Sequence, residues 1–260
     1  MRLPFNTHID KSREDTRVSD RNQTAEIRLY SDGSMQDGKV GTAAILLRQG
    51  RPPRHLQYHL GKEGQHTVYE AELVGMILAA HLAFTEPNSG HPTSLSVDNQ
   101  AALTSASRIK PRSGQHLIKE FIRLARRLKQ KHANTGYSLI IRWVAGHEGV
   151  EGNKLTDEKA KEAAAGTSSH KDHLPTYLRG NSPLLSDTSA MRQDYNGTLK
   201  TNWKEYWATS KRYARLNRID PDLPSPSFLK LVRSGELTRG QASLLFQLRT
   251  GHVPLNRHLN

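Results

Sequence analysis

A chain of 260 residues, 35% hydrophobic with a mean hydropathy of −0.70, can hold one large domain, or a medium domain with an appendage that packs poorly. It contains no cysteine, which excludes disulfides and thiolate metal sites and fits an intracellular protein. Lys and Arg number 38 against 25 Asp and Glu, and the resulting net charge of +13 favours a polyanionic partner such as nucleic acid. No apolar run approaches the roughly 20 residues that span a bilayer, and Met1–Thr24 lacks the apolar core of a secretory signal, so no membrane partner is expected.

In chain order, residues 1–25 read as a disordered leader. Glu26–Ser31 alternates as a strand and ends in Asp32, with Gly33 and Ser34 read as a turn. Gly41–Arg48 and Arg54–Leu60 are two further strands, joined so tightly that an antiparallel meander is expected. Thr67–Phe84 switches to helical period, with Tyr69, Leu73, Met76, Ile77, Ala80 and Phe84 on one face and Pro87 closing it. Ser94–Val97 is a short strand delivering Asp98. Asn99–Ser107 and the basic Gln115–His132 are helices, Tyr137–Val144 is the last strand, and Asp157–Ala165 is an alanine-rich helix. Together these predict an α/β fold, a mixed sheet of five strands flanked by helices.

Residues 167–188 are rich in Ser, Gly, Pro and His and read as a linker. Residues 189–260 read as a helical extension. Met191–Arg218 carries Tyr195, Leu199, Trp203, Tyr206 and Trp207; PDLPSP interrupts; Thr238–Arg249 is an amphipathic helix capped by Thr238 and ended near Gly251.

Four carboxylates stand at element ends or on a helix face: Asp32, Glu72, Asp98 and Asp157. Strands one and four can lie side by side, which makes Asp32 and Asp98 neighbours. Clustered carboxylates raise one another's pKa unless cations neutralise them, and hard oxygen ligands suit Mg²⁺ or Mn²⁺ rather than zinc. Each acid also has a plainer reading. Asp32 fits an Asp-Gly turn, Asp98 a helix N-cap, and Asp157 a helix-start acid favoured by the macrodipole. Glu70 rivals Glu72, and helical periodicity does not choose between them.

In order along the chain, YSDGS, TVYEAEL, SVDNQAAL and GHEGVEGNKLTDEKAKEAA resemble the four signature blocks of type 1 ribonuclease H over Glu26–Gly166. The likeness is greatest to the form at the C-terminal end of reverse transcriptases of fungal non-LTR retrotransposons. The resemblance implies a ribonuclease H-like fold and a metal-dependent endoribonuclease that cuts the RNA strand of RNA/DNA hybrids. It implies Asp32, Glu72, Asp98 and Asp157 as ligands of two Mg²⁺ ions (Mn²⁺ being the alternative), and His147 as a loop histidine that assists proton transfer or product release. Only the likeness to the family's A-E-L sequence favours Glu72 over Glu70. Lys154 and Thr156 depart from the family's usual glutamate and alanine at those positions.

For the substrate, Gly33, Ser34, Asn99 and Gln100 are expected to contact the sugar-phosphate backbone. The basic stretch Arg108–Lys131, with Lys119, Arg123, Arg126 and Arg127, reads as a phosphate track or as a solvated helix face. LTRGQASLLFQLRTGHVPLN resembles the segment C-terminal to the nuclease in the same elements, so a longer parent polyprotein with a reverse transcriptase domain is expected, acting in nucleus or cytoplasm. The rival readings are an inactive nucleic-acid-binding remnant and an integrase-like enzyme.

Overall fold

The computed structural model describes residues 3–10, 12–107, 113–144, 150–180, 184–219, 221 and 226–250. Met1–Tyr195 and Asn196–Asn260 are two separate compact units. The first is built on a six-stranded sheet. Its strands are β1 (Asn6–His8), β2 (Ile27–Gln36), β3 (Lys39–Arg48), β4 (Arg54–Lys62), β5 (Thr93–Val97) and β6 (Leu139–Trp143), in the spatial order β1-β6-β5-β2-β3-β4.

The meander β2-β3-β4 is antiparallel, and β5, β6 and β1 add in parallel on the other side of β2. β2 does not end at Asp32. The expected turn at Gly33 and Ser34 is corrected: both pair with β3, and the hairpin turns at Asp37 and Gly38, whose φ values of 50° and 69° suit a two-residue primed turn.

Helix α2 (Val68–Thr85) opens on a capping box between Thr67 and Glu70, and packs on the sheet and on α4 (Gln115–Lys131). By length and composition it is apolar enough to cross a membrane, yet 78% of it is buried within this fold as its core helix. α3 (Gln100–Ser107) follows β5. α5 (Glu151–Ala164) covers β2, β3 and β4, with Gly41 of β3 lying directly against the backbone of Ala163 and Ala164.

Residues 3–10 and 12–25, within the stretch read as a leader, are ordered. α1 (Arg13–Arg21) is capped by Ser12, and β1 adds a sixth strand along the β6 edge. Hydropathy misses this because the anchors are few and mostly polar. Phe5 packs on Phe121 at 5.5 Å, and buried Asp20 and Gln23 join the Tyr30 hydroxyl and Ser94.

Residues 167–180 and 184–188 of the expected linker are likewise structured. Ser168 and Ser169 hydroxyls accept the His59 and Gln57 amides of edge strand β4, two 3₁₀ turns follow, and Leu174, Leu178 and Leu184 are buried in the core. Its sequence reads as polar, but it covers an edge whose amides need partners.

α6 runs Thr188–Ala208. The second unit continues with α7 (Tyr213–Ile219), α8 (Pro226–Arg233) and α9 (Arg239–Thr250), whose Thr238 cap is as expected. Gly251, the expected stop, lies outside the described residues.

Candidate active site

Topology brings the acidic residues to one edge of the sheet. β5 pairs with β2 up to Ser31 and Val97, so Asp32 and Asp98 are the next residue of each strand, adjacent at the carboxyl ends of two parallel neighbours. β4 runs in the direction of β2, and β6 in that of β5, so α2 and α5, which follow them, both begin at this edge. The chain leaves β2 toward β3 and β4, then crosses to β5 on the opposite side. The crevice at such a switch point is where open α/β sheets bind ligands.

Asp32, Glu72 and Asp98 each offer a carboxylate oxygen there, all within 4.8 Å of one another. Gly33 makes the approach possible: a Cβ at that position would lie 2.8 Å from the Glu72 amide nitrogen and 2.9 Å from the Ala71 Cβ. The backbone on either side is pinned. Thr42 Oγ1 donates to the Asp32 carbonyl at 2.7 Å, and Trp143 Nε1 to the Asp98 carbonyl at 2.9 Å. The N-cap of α3 is Asn99 rather than Asp98: its Oδ1 accepts from the Ala101 and Ala102 amides at 2.9 and 3.1 Å. The Asp98 carboxylate is thus available to the cluster.

The surrounding cleft, of about 1100 Å³, is lined by Asp32, Gly33, Ser34, Glu72, Asp98, Asn99 and Gln100, and by Lys154, Asp157 and Lys161 from α5. Asp157 does not open α5, as expected from the sequence, but stands in its second turn. Its carboxylate is paired with Lys161 at 2.7 Å.

The cluster is electrostatically costly. Burial, then the charges of Asp98 and Asp157, push the Asp32 carboxyl up to about 7, against the Gly33 amide and Lys161, which lower it. Glu72, 4% exposed, is held well above the ordinary glutamate value by burial and by Asp98 and Asp32, and it hydrogen-bonds Asp98. Two carboxylates that share a hydrogen bond must share a proton or meet a cation. The set is oxygen-only and crowded, and it lines a cleft, which fits a hard divalent ion.

Glu70 and Glu72 separate cleanly. Glu70 is fully buried, its Oε2 near His66 Nδ1 at 3.3 Å and accepting the Thr67 amide at 3.2 Å, so it caps the helix and Glu72 faces the cleft. Lys119, Arg123, Arg126 and Arg127 lie on α4, and none lines the cleft. Arg123 pairs with Glu120 at 2.6 Å, and Arg127 sits 4.8 Å from the centre of the Phe84 ring, so both cations are engaged within the fold. His147, Arg108, Lys110 and Arg112 lie outside the described residues. Lys161 was missed by the sequence reading, although its position four residues after Asp157 on a helix is a pairing signal.

This sheet order, with an acidic cluster at its switch point, defines a ribonuclease H-like α/β protein. A family model described as RNase H matches residues 24–165, more than half of the chain, and the chain belongs to that family. Among solved structures, RNase H1 of the archaeon Halobacterium salinarum NRC-1 is 17% identical, covering 54% of this chain and 98% of its own, with a TM-score of 0.39. The foamy viral protease-reverse transcriptase in complex with an RNA/DNA hybrid is 16% identical over 55% of this chain and 20% of its own, with a TM-score of 0.43. LC11-RNase H1, isolated from compost by a metagenomic approach and solved with an RNA/DNA hybrid, is 16% identical over 54% and 96%, with a TM-score of 0.40. No curated protein matched the chain.

Proposed function

We propose that the chain is a type 1 ribonuclease H that hydrolyses the RNA strand of RNA/DNA hybrids, leaving 5′-phosphate and 3′-hydroxyl ends. The observation that carries this reading is the convergence of Asp32, Glu72 and Asp98 within 4.8 Å at the switch point of an RNase H family chain. These three, with Asp157 in the same cleft, would hold two Mg²⁺ ions, Mn²⁺ being the alternative. Such ions, when bound, supply charge at the scissile phosphate and acidify a coordinated water.

The protein's own part is positioning. Packing of Gly33 against α2 and the two pinned carbonyls fix the carboxylates before any ligand arrives, so little reorganisation remains. Ser34, Asn99 and Gln100 in the cleft wall would contact the sugar-phosphate backbone and the 2′-OH that distinguishes RNA. Asp157 must exchange Lys161 for the ligand it serves, which makes Lys161 a competitor at that position. His147 would assist proton transfer or product release. The four signature blocks and the C-terminal stretch support a source in a fungal non-LTR retrotransposon, with a reverse transcriptase in the parent polyprotein and an intracellular place of action.

The test is cleavage of a labelled RNA/DNA hybrid in Mg²⁺ beside duplex RNA and duplex DNA. Cutting confined to the hybrid's RNA strand, abolished by EDTA and reduced on the order of a hundredfold or more in Asp98→Asn, is expected. Cutting that survives Asp98→Asn would overturn the assignment.

A further inference from the structure

We propose that the face of α6 carrying Trp203, Tyr206 and Trp207 is a binding surface for single-stranded nucleic acid. The Trp203 and Trp207 rings are stacked, 6.1 Å between centres and 6° from parallel, and Tyr206 lies 6.4 Å from Trp203. Tyr213 meets Trp207 edge-on at 6.4 Å and braces this small platform. Trp207 is half-buried with its Nε1 atom enclosed, so Trp203 and Tyr206 are the rings that reach solvent. Trp203 is 43% and Tyr206 73% exposed, and among the described residues of α7 and α9 none is buried.

The residues beside the platform in sequence select its partner. Lys200, Lys204, Lys211, Arg212, Arg215 and Arg218 stand along residues 196–219 against Glu205 alone. All six are exposed, and none is in an ion pair among the described residues. Cations flanking exposed rings match a polyanion that also presents flat π-faces, which an unpaired nucleic-acid strand does. A duplex offers the phosphates but keeps its base faces stacked inside, and an acidic polypeptide offers charge without rings to stack. The site is far in character from the acidic cleft: it needs no metal ion. It therefore stands or falls independently of hydrolysis.

The experiment uses the full chain in EDTA, where the acidic cluster cannot support cleavage. Binding of a labelled oligothymidylate and of a duplex of equal length is followed by anisotropy and by tryptophan quenching. The single strand is expected to bind more tightly than the duplex and to quench tryptophan emission, with a salt slope of about −0.7 per phosphate contacted. Trp203→Ala with Tyr206→Ala should weaken it by about tenfold or more, and Lys200→Gln with Lys204→Gln should reduce the salt slope. Tyr206→Ala alone removes one exposed ring without opening a core, so a weaker effect in the same direction is expected even if the double variant loses its helix. Unchanged affinity in Tyr206→Ala and in a folded Trp203→Phe, Tyr206→Ala chain, or equal binding of duplex, would overturn the proposal. Displacement of the strand by polyglutamate at equal charge would do the same, because it would leave only electrostatics.

Discussion

The two units use charge and aromatic surface in opposite ways. In the first, acidic groups are pressed together at nearly dry positions: Asp32 is 9% and Glu72 4% exposed, and Gly33 lets the helix close on the strand. In the second, basic and aromatic side chains are spread over helices that bury almost nothing. A buried cluster is worth its electrostatic cost only where position matters to a fraction of an ångström, as it does around ions. An exposed array loses little by being loose, as befits contact with a flexible strand. The first region should therefore respond sharply to protons, ions and single methyl groups, and the second should not.

The largest expected response is to pH. Folded Asp32 keeps its proton up to about pH 7, whereas the unfolded chain releases it near the ordinary value of 3.8, so the folded state binds more protons across that window. Without divalent ions, the Asp32 contribution to stability is therefore fully present below the lower value and is lost as pH rises through about 7, by on the order of a few kcal/mol. Glu72 adds in the same direction. Thermal melts in EDTA should show Asp32→Asn gaining stability relative to the unsubstituted chain as pH rises across this range. Mg²⁺ at a hundredfold over its Kd should restore about 2.7 kcal/mol at neutral pH. A melting temperature indifferent to Mg²⁺ would break the comparison at its root.

Next in size is Gly33→Ala. The new Cβ would meet the backbone of Glu72, which cannot swing aside, so a loss of about 1–3 kcal/mol is expected together with weaker Mg²⁺ binding by calorimetry. The rival glutamates give a smaller and more discriminating pair. Glu70→Ala removes the α2 capping box and should cost about 1 kcal/mol in denaturant melts while hybrid cleavage continues. Glu72→Gln should do the reverse, sparing the helix and losing cleavage.

The smallest effect belongs to Lys161. Its pair with Asp157 is half exposed, so such a bridge contributes about 0–1 kcal/mol. Lys161→Met should therefore tighten Mg²⁺ binding by no more than about fivefold, read by calorimetry without substrate. Weaker binding would mean that Lys161 supports the site rather than competing for it.

Much of this architecture is legible in the residues themselves. Alternation over Ile27–Ser31 places Asp32 at the mouth of the site, and the short apolar run Ser94–Val97 delivers Asp98 beside it. The period of Thr67–Phe84 marks the core helix, though not which glutamate it turns toward the cleft. The start of α5 is illegible for a specific reason. Gly152 and Asn153 are poor helix formers, but Gly152 is required because the Tyr30 ring leaves no room for a Cβ there. The order in the described residues of 3–25 and 167–188 is equally hidden, since these residues are held by a few buried polar bonds and isolated leucines rather than by any periodic pattern.

Local period and composition were enough to set the alternation of strands and helices, the acids at strand ends and the surplus of cations. Packing in three dimensions was needed to select Glu72 rather than Glu70 as the partner of Asp32 and Asp98, and Asn99 rather than Asp98 as the cap of α3. It was needed, too, to bring Lys161 to Asp157 and to fold two polar segments onto the sheet. Most of these are choices between side chains one or two positions apart. Such a choice is made by which backbone can approach within a few ångströms, and that is a property of packing rather than of any residue alone.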